Sequence, residues 1–237
     1  MSGANATKRL DWAARFQVLS QEARHPLLQS FYRSGVIGAD IPLEQVQMLA
    51  MDFETTGLNT ETHGIVSIGL LPFTLKRIRC GGALYWVIKP PSELSGESVT
   101  FHHITHADIR HAPQLPDVLE KLLAAMAGKV MVVHYRAIER GFLDQALRRH
   151  MGEGIQFPVI DTMQLEARMH RHKRNWLDRL LRRPPVSIRL AESRRRYNLP
   201  QYHAHHALTD ALATAELLQA QIASHYTPSV AIGELWD

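Results

Sequence analysis

The chain has 237 residues, 45% of them hydrophobic and 21% charged, enough for one α/β domain with an extension or for two small domains. Its single cysteine, Cys80, excludes an internal disulfide, and no run approaches the roughly 18 consecutive apolar residues of a membrane span. The N-terminus lacks the apolar centre of a signal peptide, so a cytoplasmic protein without a membrane partner is expected. The formal charge of +4 hides an asymmetry. Between Arg168 and Arg196, eleven Lys or Arg face only Asp178 and Glu192, a local balance of +9, while 16 basic residues elsewhere are outnumbered by 21 acidic ones. Such a patch suits a polyanion, nucleic acid being the commonest, although a solvated helical face has the same composition.

Residues 1–45 read as a helical extension, with Leu10, Trp12, Ala13, Phe16 and Leu19 near helical spacing and a second short helix over Pro26–Arg33. Trp12 and Phe16 are expected to anchor it on the main domain; a protein partner or a second copy of the chain is the alternative use. From Val46 an α/β pattern begins. Strands are predicted ending at Glu54 and over Ile65–Leu71 and Ala83–Lys89, with connections too short for parallel crossovers, hence an antiparallel meander. Pro90 and Pro91 stop it. Helices over His106–Arg110 and Leu115–Met126, a strand at Val130–Val133, a helix over Ile138–Met151, a strand at Phe157–Ile160 and helices over Met163–His170, Ile188–Tyr197 and Ala207–Ser224 complete a mixed sheet flanked by helices over residues 46–225. The tail, 226–237, carries no clear pattern.

Four stretches put acids or histidines where a core is forming. In MLAMDFETTGL, Asp52 and Glu54 close a buried strand on the same side, roughly 7 Å apart along the backbone. Two carboxylates there repel unless a cation neutralises them or one holds a proton, the alternative being a solvated strand end. In VVHYRAIERGFLD, a strand ends at His134 and Glu139 opens a helix, where pairing with Arg136 or Arg140 is the competing role. In YHAHHALTD, His205 precedes Asp210 across a loop-to-helix junction, a spacing that suits a base and a metal ligand flanking one cavity. Capping or, more weakly, zinc binding also fit such histidines. In VTFHHITHAD, His102, His103 and His106 stand just ahead of a predicted helix, where helix N-termini attract phosphate.

Together, and in this order, the four stretches resemble the DEDD superfamily of 3′-to-5′ exonucleases in its histidine-bearing branch, which includes the proofreading subunit of DNA polymerase III, ribonuclease T and oligoribonuclease. DFETTGL looks like the first motif, VVHYRAIERGFLD like the second with Glu139 where the family has Asp, and HHALTDALATAEL like the third; TFHHITHADI is similar to the family's H-G-I-T segment.

The resemblance implies a ribonuclease H-like fold, a mixed five-stranded sheet with its first three strands antiparallel. It implies that Asp52, Glu54, Glu139 and Asp210 hold two divalent cations, Mg²⁺ or Mn²⁺, about 4 Å apart, and that His205 is the general base. It further implies that Thr55, Thr56, Leu58 and His103 contact a single-stranded or frayed 3′ end of DNA or RNA, from which nucleoside 5′-monophosphates are released. The basic segment from Arg168 to Arg196, with Trp176 inside it, would guide the phosphate backbone. A glutamate at 139 adds a methylene, so the alternative is a catalytically weak nucleic-acid-binding or protein-interaction module on the same fold.

Overall fold

The computed structural model describes residues 10–91, 94, 96–170 and 185–237. Residues 171–184 of the predicted basic segment, including Trp176, lie outside the described residues. The sheet has the order β3-β2-β1-β4-β5, from β1 (Met48–Thr55), β2 (Ile65–Phe73), β3 (Leu84–Val87), β4 (Val130–Val133) and β5 (Val159–Asp161). β1 pairs antiparallel with β2, and β2 with β3, while β4 runs parallel to both β1 and β5. The strands in the middle are buried on both faces, which is why β1, β2 and β4 read as near-continuous apolar runs.

Nine helices accompany the sheet among the described residues: α1 (Trp12–Glu22), α2 (Pro26–Arg33), α3 (Gly96–His102), α4 (His106–Ile109), α5 (Leu115–Met126), α6 (Arg136–Met151), α7 (Thr162–His170), α8 (Leu190–Arg196) and α9 (Ala207–His225). Several of their starts are written in the sequence. Asp11 accepts the Ala14 N–H ahead of α1, and Pro26 opens α2 with its fixed φ. Asp117 of α5 reaches back to the Gln114 N–H. α3 is one exception: the prolines at 90 and 91 predict only a break, yet a helix ends at His102, so the histidine segment joins two helices instead of merely preceding one.

The extension packs onto the same core as the sheet. Phe16 meets Tyr32 edge-to-face at 5.2 Å and Phe31 at 5.5 Å, and α2 lies against α5. The tail, patternless in sequence, finds its order through the backbone. Leu43 donates to the Val230 carbonyl, Gly233 to Ala39, and Trp236 bridges Ile160 on the outer edge of β5, which leaves that edge covered. No described helix is long and apolar enough to cross a membrane.

Helix α9 lies across β1 and β2. Its first turn approaches so closely that a Cβ on Gly69 would stand 2.3 Å from the Ala207 carbonyl carbon. Gly69 is the cross-strand partner of Asp52, so the absence of one side chain on β2 lets the N-terminus of α9, with Asp210, descend beside the acidic end of β1.

Candidate nuclease site

The site lies at the carboxyl end of β1, roofed by the start of α9 and walled by α6. Glu54, His205 and Asp210 each present one ligand atom, and these atoms all lie within 4.8 Å of one another. Asp52 sits next to them, partly buried, and Glu139 comes in from the first turns of α6, where it is 2% exposed. The charges feel each other. Burial pushes the Asp52 carboxyl well above its ordinary range, and repulsion from Glu139, Glu54 and Asp210 adds to it. Burial and the charge of Asp210 carry Glu54 up to about 7. Glu139 is also raised, chiefly by burial, with Asp161 and Glu54 contributing. Asp210 is raised by burial against the opposing pull of the His205 and His206 backbone N–H groups.

The sequence puts each acid there by a different local device. Asp52 and Glu54 alternate out of a strand whose other residues fill the core. Glu139 is aimed by the β4–α6 junction, where Tyr135 takes a left-handed φ of 93°, a conformation that costs a residue with a Cβ on the order of 1–3 kcal/mol. Asp161 holds that junction in place: its two carboxylate oxygens accept the N–H groups of Tyr135 at 3.1 Å and Arg136 at 3.0 Å. Asp161 was not among the residues expected from sequence to matter, although it ends a buried strand, the same signal that marks Asp52.

His205 and His206 divide their work. His205 is exposed, has a left-handed φ of 68°, and donates its backbone N–H to Asp210 Oδ2 at 2.7 Å. His206 caps α9 by accepting the Thr209 N–H on Nδ1, and its ring stacks on Tyr85 with centroids 4.7 Å apart. The loop after β1 is closed by Thr56, which donates its N–H to the Gly64 carbonyl and accepts the Gly64 N–H on its hydroxyl, while Thr55 bonds the Gly57 carbonyl. That leaves Leu58 standing out, 81% exposed.

Among the histidines of residues 99–108, His103 is exposed and occupies a left-handed φ of 58°, at the place of the glycine in H-G-I-T. The buried ring is that of His102, 5% exposed, whose Nδ1 accepts the Ile104 N–H and whose pKa is lowered by burial and by the charges of His103 and His205. In the neutral ring the proton is then on Nε2, which has no hydrogen-bond partner among the described residues. Periodicity could not separate two adjacent histidines; the left-handed residue between two helices does.

The donor set fits hard divalent cations. It offers carboxylate oxygens and one imidazole, and Glu139 Oε2 is buried without a partner among the described residues, an arrangement that is costly as a bare cluster and favourable around positive charge.

Comparison with known proteins agrees with this geometry. The exonuclease family model of the ribonuclease T type matches residues 49–218. The PolC-type DNA polymerase III of Lacticaseibacillus paracasei is 29% identical over 185 residues, 77% of this chain but 12% of that protein. The DNA polymerase III subunit epsilon of Salmonella typhimurium is 29% identical over 146 residues, 58% of this chain and 60% of that one. The chain therefore spans only part of these relatives. Among solved structures, exonuclease X in complex with 5′ overhanging duplex DNA superposes with a TM-score of 0.58 at 22% identity, covering 79% of this chain and 98% of that chain. The nuclease domain of 3′hExo bound to rAMP gives 0.60 at 15% identity, covering 76% and 92%. The carboxylates at the end of β1, the histidine ahead of α9, the ribonuclease H-like sheet and these matches lead to one conclusion: the chain belongs to the ribonuclease T exonuclease family, within the DEDD superfamily of 3′-to-5′ exonucleases.

Proposed function

We propose that this exonuclease removes nucleotides one at a time from the 3′ ends of single-stranded or frayed nucleic acid, releasing nucleoside 5′-monophosphates, with Asp52, Glu54, Glu139 and Asp210 as ligands of two Mg²⁺ or Mn²⁺ ions and His205 as general base. What supports this reading most is the convergence of Glu54, Asp210 and His205 within 4.8 Å beside the partly buried Asp52 and the buried Glu139. When bound, the cations would lower the pKa of a water and offset charge on the departing oxygen.

The chain's own groups do the rest. His205 takes a proton from the attacking water; the water oxygen bonds to the terminal phosphorus as the bond to the 3′ oxygen of the preceding nucleotide breaks, and that oxygen takes up a proton from solvent to become the new 3′ hydroxyl. Its exposed position and its backbone tie to Asp210 keep the ring near the acids while leaving it open to solvent for proton release. Thr55 and Thr56 shape the pocket for the terminal nucleotide, Leu58 packs on its base, and the Nε2–H of His102 is available to the phosphate. His103, the residue expected from the motif, then contacts the strand further out.

The test is a 5′-labelled oligonucleotide digested with Mg²⁺, with Mn²⁺ and in EDTA. Stepwise shortening from the 3′ end that requires a divalent ion supports the reading. A folded protein that binds the strand and leaves it intact in both metals identifies a binding module, and cleavage of a circular single strand identifies an endonuclease.

A further inference from the structure

The structure has a partly open cavity apart from the acids. It has a volume of about 300 Å³ and lies behind the 57–63 loop, between the end of β3, the start of α5 and the outer turns of α6. Its floor is apolar, from Ile65, Ile88, Leu115 and Phe142. Its rim carries Lys89, Arg149, His150 and His63, and among the described residues no aspartate or glutamate lines it. The walls are set firmly: a Cβ on Gly64 would lie 2.4 Å from Pro91 Cδ, so the residue ahead of β2 and the proline are in direct contact. Arg149 donates through Nη2 to the Thr60 carbonyl at 3.1 Å and to that of Glu61, and its other N–H groups have no hydrogen-bond partner among the described residues.

We propose that this cavity is a second nucleotide site, taking a single nucleotide unit with its flat base on the apolar floor and its phosphate among the basic side chains at the rim. The volume is at the lower bound of small-ligand pockets, which suits one mononucleotide. Among the described residues the charge is one-sided, as an anion requires, and the floor offers the apolar contact that an inorganic phosphate would not use. The cavity shares two elements with the site of cleavage. α6 carries both Glu139 and the cavity residues Phe142, Ala146 and Arg149, and the 57–63 loop presents Leu58 on its outer side and Thr60 and His63 to the cavity. An occupant therefore presses on the loop that shapes the terminal-nucleotide pocket. The choice of a nucleotide rests on the exonuclease reading; the existence of an anion-binding cavity does not. The nucleotide unit has two sources, a freed mononucleotide or a nucleotide of the bound strand.

The probe is AMP, titrated calorimetrically into the full chain in EDTA, where the repelling carboxylates disfavour a phosphate at the cleavage site. Wild type should bind one AMP, and adenosine should bind at least 10-fold more weakly. Ala146→Trp, which fills the cavity, should abolish binding, and Lys89→Glu with His150→Glu, both at exposed positions, should weaken it at least 10-fold with an unchanged thermal midpoint. Absence of AMP binding by wild type, equal affinity for adenosine, or affinity untouched by these variants overturns the proposal. Digestion in Mg²⁺ then separates the sources. If added AMP changes the wild-type rate and not that of Ala146→Trp, the occupant is free product; if Ala146→Trp raises KM for a 12-mer and not for a 4-mer, it is the strand. Failure of Mg²⁺-dependent digestion with AMP binding intact counts against the catalytic reading alone.

Discussion

At the scale of single residues, the acids at the end of β1 hold a cost that their function would repay. Asp52 is raised by burial and by three neighbouring carboxylates, so neutralising it relieves repulsion in the metal-free protein. Asp52→Asn should therefore raise the thermal midpoint in EDTA at pH 8 while lowering the rate of mononucleotide release by about 10³-fold, on the scale of losing a group that acts in the transition state. A lowered midpoint with full activity would show an ordinary structural acid. The two adjacent histidines are separable in the same way. His205→Ala should lose most of the rate and keep the fold, whereas His206→Ala, which removes a helix cap and the stack on Tyr85, should cost on the order of 1 kcal/mol of stability and spare most of the rate. Denaturant melts alongside initial rates decide it, and the reverse pattern would move the base to His206. Asp52, Glu54 and Asp210 were legible because an acid at the end of an apolar strand or in the first turn of a buried helix is conspicuous. His102 and Asp161 were not: one is distinguished from His103 by burial and backbone φ, neither of which periodicity carries, and the other acts through backbone N–H groups distant in sequence.

At the scale of elements, the sequence carried most of the fold because nearly every strand and helix has a strong period and a recognisable end. Leu115–Met126 and Val130–Val133 fall where the pattern puts them, and α9 extends one residue beyond expectation. The differences have causes. α6 begins at Arg136, two residues early, because Asp161 rather than a local side chain satisfies its first N–H groups. α3 was missed because the residues after the paired prolines lack a clear helical stripe. What no periodicity reveals is how close two elements come, and Gly69 decides that for β2 and α9. Gly69→Ala should force the Ala207 backbone away from β2, dragging Asp210 away from the acidic end of β1 with it. The expected result is a loss of at least 10-fold in divalent-ion affinity, with a lower thermal midpoint. An unaltered affinity in a folded Gly69→Ala protein would separate the α9 approach from the acidic site.

At the scale of the whole molecule, stability and charge are linked with opposite signs at two places. Glu54, with a folded-state pKa of about 7 against an ordinary 4.5, contributes stability that is complete below pH 4.5 and lost as pH rises through 7. His134 does the reverse. Burial lowers it to about 4 from 6.5, so its contribution is present above pH 6.5 and lost as pH falls through 4. The metal-free protein should accordingly pass through a stability maximum on the acid side of neutrality. Divalent ions should raise the midpoint more at pH 8 than at pH 5, since they compete with the protons held by the cluster. Thermal melts across pH 4–9 with EDTA or Mn²⁺ measure this. A metal-induced shift independent of pH would mean that the ions bind away from the raised carboxylates. The extension and the tail belong to the same cooperative unit in this picture, because Trp12, Phe16 and Trp236 share the core with the sheet.

Cations gathered by acids from β1, α6 and α9 are the centre of the proposed chemistry, and diffraction from a crystal soaked in Mn²⁺, recorded at the manganese edge, looks for them directly. Two anomalous peaks bounded by Asp52, Glu54, Glu139 and Asp210, with the His205 ring beside them, are the predicted result. A soaked crystal with no peak among those four carboxylates, or with Glu139 turned out of the cluster, would contradict it.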